Sequence, residues 1–374
     1  MAIGKVTIVK TDGMQGSFAE AERVFLYMGK IGDPDLAGEV IAIGGASDLD
    51  EVLGAGESDL KTQITAARQN ARSENWVCYA YGLEDGTDWK EELYNLLDKP
   101  ADLNIEAVVL CTPFESKAEV TAAYAAASEV LSRFAKFITV IGCCSGIDAE
   151  TETWGTYVTR ISALADGVAA ERVCIVPLLH GNNLGVVCGR LCDPGVSIAD
   201  SPMRVATGAL VGLGDAPADK NGAALVMATI EQLSGKRFCV PQWYPGYDGV
   251  YWADMMTLAA EASDFQVWEN LRVLDYCARR VRILAIARIA DRRLNNTAQS
   301  ISANQTYFMR PLLEASHPIQ MGKTELPSMI QPPKDGDITI TWTSRTEVAI
   351  AITARPYHCP KKITVYLGLD LSNS

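Results

Sequence analysis

Three short, almost wholly apolar runs, residues 107–112, 137–143 and 172–179, are separated by helix-length segments, and this rhythm limits the folds open to the chain. Strands with no polar face are buried on both sides, which calls for a largely parallel sheet covered by helices. Residues 59–71, 89–97, 117–136 and 153–165 read as the covering helices, and 39–43 and 76–81 as further strands. Residues 20–28 read as a short helix or strand opening this unit. The expected fold class is therefore α/β, with a mostly parallel sheet in the first half of the chain.

After Asp193-Pro194-Gly195 the pattern changes. Residues 202–214 are rich in small side chains, 222–234 read as a helix, and 238–245 as an irregular aromatic segment. A long helix then runs without Gly or Pro to Leu294. Phe265, Trp268, Leu271, Leu274, Cys277, Val281 and Leu284 recur three or four residues apart along it, an apolar stripe that must bury against something. Arg272, Arg279, Arg280, Arg282, Arg288, Arg292 and Arg293 surround the stripe, with no lysine among them, in a chain of net charge -13. Two readings are open: a core helix whose wet face carries arginine, or an interface helix that uses planar charged recognition.

The ends of the chain are β-like. Residues 338–342, 348–352 and 363–367 alternate apolar with polar or small residues and read as three antiparallel-type strands, following a loop at 321–337. Near the other end residues 3–9, with Lys5, Val6, Thr7, Ile8 and Val9 among them, read as one short strand before the turn signal Asp12-Gly13. An unpaired strand at a terminus invites pairing with another copy of the chain.

Composition excludes several classes. With 48% hydrophobic residues over 374 positions, the chain can bury a sizeable core. Its 46 Asp plus Glu against 33 Lys plus Arg argue against a coat for nucleic acid. There is no uncharged apolar run of about 18 residues and no apolar core for a signal peptide, so the expectation is a soluble protein made in the cytoplasm, with no membrane insertion. The ten cysteines are scattered, several within apolar runs, and read as small buried hydrophobes in a reducing compartment.

Motifs for chemistry fail one by one. Gly142-Cys143-Cys144-Ser145-Gly146 follows a buried strand, but it lacks a nucleophile midway between its glycines and reads as a tight turn. His180 lies just after a strand, yet no third group orients a Cys144/His180 pair. Gly212-Leu213-Gly214 lacks the third glycine of a dinucleotide fingerprint, and Cys188 and Cys192 have no second pair at zinc spacing. Asp48 and Asp50 sit at a helix start, where capping accounts for them. No cofactor, metal or catalytic residue is expected. The alternative from another class is a cytoplasmic α/β hydrolase-like or oxidoreductase enzyme working through the Cys144 and His180 loops.

The run Gly249-Val250-Tyr251-Trp252-Ala253-Asp254, then 264–275 (Asp-Phe-Gln-Val-Trp-Glu-Asn-Leu-Arg-Val-Leu-Asp), continuing to Arg279-Arg280-Val281-Arg282, resembles the central part of contractile phage tail sheath proteins, a family that includes the sheaths of tailocins and other contractile injection systems. The resemblance is firmest over residues 240–300. It implies a non-enzymatic subunit with an N-terminal linking arm (1–15), an outer α/β domain (16–200), an inner, tube-facing α+β domain (201–360) and a C-terminal linking arm (361–374). Hexameric rings would stack helically around a tail tube protein, bounded by baseplate and tail terminator proteins. They would contract in the virion to drive the tube through the host envelope, after assembly in the bacterial cytoplasm. The arms, Lys5 to Val9 with Ile363, Thr364, Val365, Tyr366 and Leu367, would be exchanged between subunits. Arg279, Arg280, Arg282, Arg288, Arg292 and Arg293 are expected at a tube or subunit interface.

Overall fold

The computed structural model describes residues 21–84, 86–99, 103–321 and 324–368; the strand expected over residues 3–9 lies outside the described residues. Strands β1 (Phe25–Gly29), β2 (Val40–Gly44), β3 (Val77–Gly82), β4 (Ala107–Pro113), β5 (Thr139–Cys144) and β6 (Val173–Pro177) form one sheet in the order β2-β3-β1-β4-β5-β6. All neighbours are parallel except β2 with β3. The parallel sheet expected from the apolar runs is present, and it is buried on both faces: Leu26 and Met28 of β1 enter one core, Phe25 and Tyr27 the other.

Helices cover both faces. Between β2 and β3 lie α1 (Leu49–Leu53), whose Asp48 cap accepts the Asp50 N–H at 3.0 Å, and α2 (Asp59–Ala71). Helices α3 (Trp89–Asp98), α4 (Lys117–Phe134) and α5 (Trp154–Ala165) pack on the opposite face, while α6 (Asn183–Leu191), which the sequence reading missed, lies against α2. Gly185 and Gly189 allow that contact: a Cβ at each would stand 2.0 Å from the Gln63 carbonyl oxygen and 2.1 Å from that of Ala67.

The chain then adds α7 (Met227–Gly235) and the antiparallel hairpin β7 (Pro241–Tyr244) and β8 (Tyr247–Trp252). The segment expected to be irregular is thus paired, turning at Gly246 with φ +74°. Next come α8 (Trp268–Ile286), α9 (Ala298–Phe308), α10 (Arg310–Ala315), the short pair β9 (Ile319–Met321) and β10 (Thr324–Leu326), and the hairpin β11 (Ile338–Trp342) and β12 (Val348–Ile352). Val273, Cys277, Val281 and Leu284 of α8 form a third core with Phe308, Leu312, Ile338 and Ile340.

Two expectations are corrected. The long helix ends at Ile286, not Leu294, although no Gly or Pro stops it. Ala290 turns to φ +59°, and Asp291 accepts from Arg288 at 3.0 Å and Arg293 at 2.7 Å, while Arg288 also reaches Asn304 on α9 at 3.0 Å. Tertiary contacts override local propensity there. The third expected C-terminal strand, 363–367, pairs with nothing among the described residues.

Candidate assembly surface: the long helix and the chain ends

One face of α8 carries Trp268, Arg272, Asp275 and Arg279, spaced as side chains that stack on a helix. Each meets a residue at the beginning of a sheet strand. The Trp268 Nε1–H donates to Thr139 Oγ1, at the start of β5, at 2.9 Å. Arg272 donates through Nε and Nη2 to both oxygens of Glu106, just before β4, at 2.7 and 2.8 Å. Both oxygens of Asp275 accept from Arg172, just before β6, at 2.9 Å. Arg279 Nη2 donates to Glu22, ahead of β1, at 2.9 Å. The helix therefore closes the N-terminal end of the parallel sheet, and three of its four polar contacts are ion pairs of largely buried groups.

Burial and charge oppose each other at this seam. Burial alone would raise the Glu106 carboxyl, but the charge and hydrogen bonds of Arg272, with help from Arg279 and the Arg23 N–H, outweigh it and hold the group below its usual range. Sequence spacing gave no sign of Glu22, Glu106 or Arg172 as partners, because they lie in strand approaches far from α8 in sequence.

The six arginines expected at an interface divide by environment. Arg279 is 8% exposed and committed to Glu22. Arg280 is half-buried, 3.3 Å from Glu22, with its guanidinium 3.4 Å from the Tyr276 ring centroid. Arg288 is held by Asn304 and Asp291 and lies over Tyr307. Arg282, Arg292 and Arg293 are exposed. These three face solvent without a buried commitment, whereas Arg279 is taken up inside the chain because a buried guanidinium needs a carboxylate.

Arg282 and Arg292, joined by Arg345 from the β11–β12 turn, rim an open cleft of about 950 Å³. Its floor is apolar: Ile286, Ile289, Phe308, Trp342, Val348 and Ile350. Arg345 was not singled out from the sequence, where it stands alone between Ser344 and Thr346.

At the C-terminal end, Lys361 Nζ donates to Glu269 Oε1 at 2.6 Å and also to Asp254. Beyond it Ile363, Val365, Tyr366 and Leu367 are 76%, 75%, 91% and 95% exposed. A stretch this apolar and this exposed is unusual on a folded surface.

The loops that invited an enzyme reading hold no prepared chemistry. Cys144 is fully buried and its thiol is pushed up to about 12, away from the thiolate range. Burial lowers the pKa of His180, whose Nδ1 sits 3.2 Å from the Asn183 amide. Gly212 and Gly214 are pinned by Asn182, which donates to the Gly212 carbonyl and accepts the Gly214 N–H. Among the described residues no three His, Cys, Asp or Glu side chains gather at metal distance, and no helix is long and apolar enough to cross a membrane.

Residues 3–256 match the family model DUF2586, N-terminal domain, and residues 264–372 the model DUF2586, C-terminal domain. A protein of Haemophilus phage HP1 (strain HP1c1) named "Putative tail sheath protein" is 40% identical over 375 residues, covering 98% of each chain. The fold is similar to the helical sheath of the anti-feeding prophage (AFP) in its contracted state, with a TM-score of 0.61 at 15% identity over 99% of this chain and 100% of that one. It is also similar to a sheath tail protein of Desulfitobacterium hafniense (TM-score 0.55, 13% identity, 94% and 96% covered) and to one of Listeria innocua (0.57, 10%, 92% and 93%).

Proposed function

This chain belongs to the DUF2586 family and, with its phage relative, to the tail sheath proteins, and from that premise we propose how its parts serve a contractile sheath. It is a structural protein and not an enzyme; it belongs to a contractile tail of phage or prophage-derived type. In our reading six subunits close into a ring, and rings stack helically around a tail tube from the baseplate to a terminator. Contraction then drives the tube through the host envelope. The α/β domain faces outward and the α8–β12 half faces the tube. Assembly takes place in the bacterial cytoplasm.

The observation that carries this reading is the C-terminal segment. Ile363, Val365 and Leu367 alternate as in a strand with one apolar face, yet they lie exposed and unpaired. The hairpin β11–β12 is a two-stranded sheet, a form that is marginal alone and gains from an added strand. We assign it as the receiver of a neighbour's arm, beside the cleft that Trp342, Val348 and Ile350 help to line. Each backbone hydrogen bond so formed contributes about 0.5–1.5 kcal/mol. A swapped strand thus holds while weaker domain faces slide past one another during contraction.

Electron microscopy of the purified chain across a range of protein concentrations tests the proposal. Hollow striated cylinders or stacked rings that increase with concentration are expected. Uniform single particles, with the tube and baseplate proteins supplied as nuclei, would overturn it.

A further inference from the structure

Glu22 and Lys361, close to the two ends of the described residues, are tied to the same helix. At the N-terminal root, Glu22 accepts from Arg279 at 2.9 Å and from Arg280 at 3.3 Å. The next residue, Arg23, donates its N–H to Glu106 at 2.6 Å and its Nη2–H to the Val196 carbonyl at 2.7 Å; that same Glu106 holds Arg272. At the C-terminal root, Lys361 donates to Glu269 at 2.6 Å and to Asp254, whose other oxygen accepts from Ser201 at 2.9 Å. Glu269 and Arg279 both belong to α8, roughly 15 Å apart at 1.5 Å per residue.

We propose that α8 is the common anchor of both linking arms, with Arg279 and Arg280 holding one root through Glu22, and Glu269 with Asp254 holding the other through Lys361. This rests on the reading of the chain as a sheath subunit whose arms are exchanged. Tension arriving along either arm reaches one rigid helix, which the Arg272–Glu106 and Asp275–Arg172 pairs fasten to the sheet. The α/β body and both arm roots therefore move as one piece when subunits rotate.

The groups are built for holding. Glu269 and Asp254 are both largely buried and bring two carboxylates together, a pairing that is costly without a cation between them, so Lys361 is needed there beyond its role as a link. Burial and the neighbouring Asp254 charge raise the Glu269 pKa, in keeping with that strain. After the bridge between Ile330 and Pro356, no backbone hydrogen bond among the described residues fastens residues 357–368. Lys361 supplies the polar tie of that segment. Without it the arm would gain the reach of residues 357–361, roughly 17 Å at about 3.4 Å per residue, and the body would no longer feel the arm until that slack was taken up.

The chain provides its own probe. Of its ten cysteines, Cys359 is exposed and the other nine are buried, so a thiol spin label on the full unassembled chain reports two residues from the anchor. At a temperature well below the unfolding midpoint, Lys361→Met is expected to shift the spectrum from partly immobilised to freely tumbling, with the midpoint lowered by the Glu269–Asp254 pair left without its cation, and Lys361→Arg to keep the wild-type spectrum. An unchanged spectrum in Lys361→Met, or an equal shift in Lys361→Arg, overturns the C-terminal anchor. At the other root, Glu22→Gln is expected to speed tryptic cleavage after Arg23; an unchanged rate overturns that half. Removing residues 361–374 tests the sheath reading separately. Loss of polymerisation together with an unmoved label refutes the anchor and leaves the reading standing, whereas a released label in a chain that polymerises without its arm does the reverse.

Discussion

Glu106 and Arg272 form a bidentate ion pair, 2.7 and 2.8 Å between heavy atoms, in which neither side chain is more than 4% exposed. It joins the approach to β4 to the second turn of α8, one of several buried polar contacts between the sheet and the C-terminal half.

Removing one partner of such a pair leaves a buried charge unmatched and costs about 3–5 kcal/mol. Glu106→Ala is therefore expected to lower the unfolding midpoint sharply in denaturant titration. A loss no larger than that of an exposed Glu→Ala control would contradict the role given to this pair.

The same carboxyl sets a pH dependence. Its folded pKa lies below its unfolded value of about 4.3, so its contribution to stability is complete above that pH. The contribution is lost as pH falls from there through the lowered folded value. Thermal unfolding as a function of pH should show this acid limb in the wild type and a shallower one in Glu106→Gln.

The α2–α6 contact predicts a steric effect without any charge. Gly185→Ala and Gly189→Ala each place a methyl against a backbone carbonyl, at 2.0 and 2.1 Å, and overpacking of this kind costs about 1–3 kcal/mol. Gly155, which has nothing within 4 Å of its position, is the control: Gly155→Ala is expected to be neutral or stabilising in the same melt.

Of the interface arginines, exposure separates two outcomes. Charge reversal at Arg282 and Arg292 is expected to leave the melting temperature of the unassembled chain alone but to weaken polymerisation, more so at low salt where surface charges are least screened. Arg279→Glu should instead unfold the chain, since Glu22 would face a second buried carboxylate. Sheath yield that ignores both exposed sites would remove Arg282 and Arg292 from the assembly surface.

Much of the α/β half was legible in the sequence because burial on both faces leaves a signature that needs no partner: β4, β5 and β6 are continuous apolar runs. Helix α6 was missed because Gly185 and Gly189, which weaken local helix propensity, are there for contact with α2. The stop of α8 at Ile286 was equally hidden, being set by Asp291, Arg288 and Asn304 across a turn. The arginine cluster was conspicuous, but its division into buried ties and exposed cations depends on Glu22 and Glu106, which no spacing along α8 reveals. Lys361 was read only as the first residue of an arm. Its two carboxylate partners come from segments that fold against it from 92 and 107 residues away.

The central claim is that this chain assembles through its exposed C-terminal arm. The most direct measurement compares the full chain with one ending at residue 360, by electron microscopy and sedimentation at matched concentration, after thermal melts have established that both fold. The account predicts cylinders from the full chain and single subunits from the shortened one. Cylinders of equal length and yield from both would contradict it.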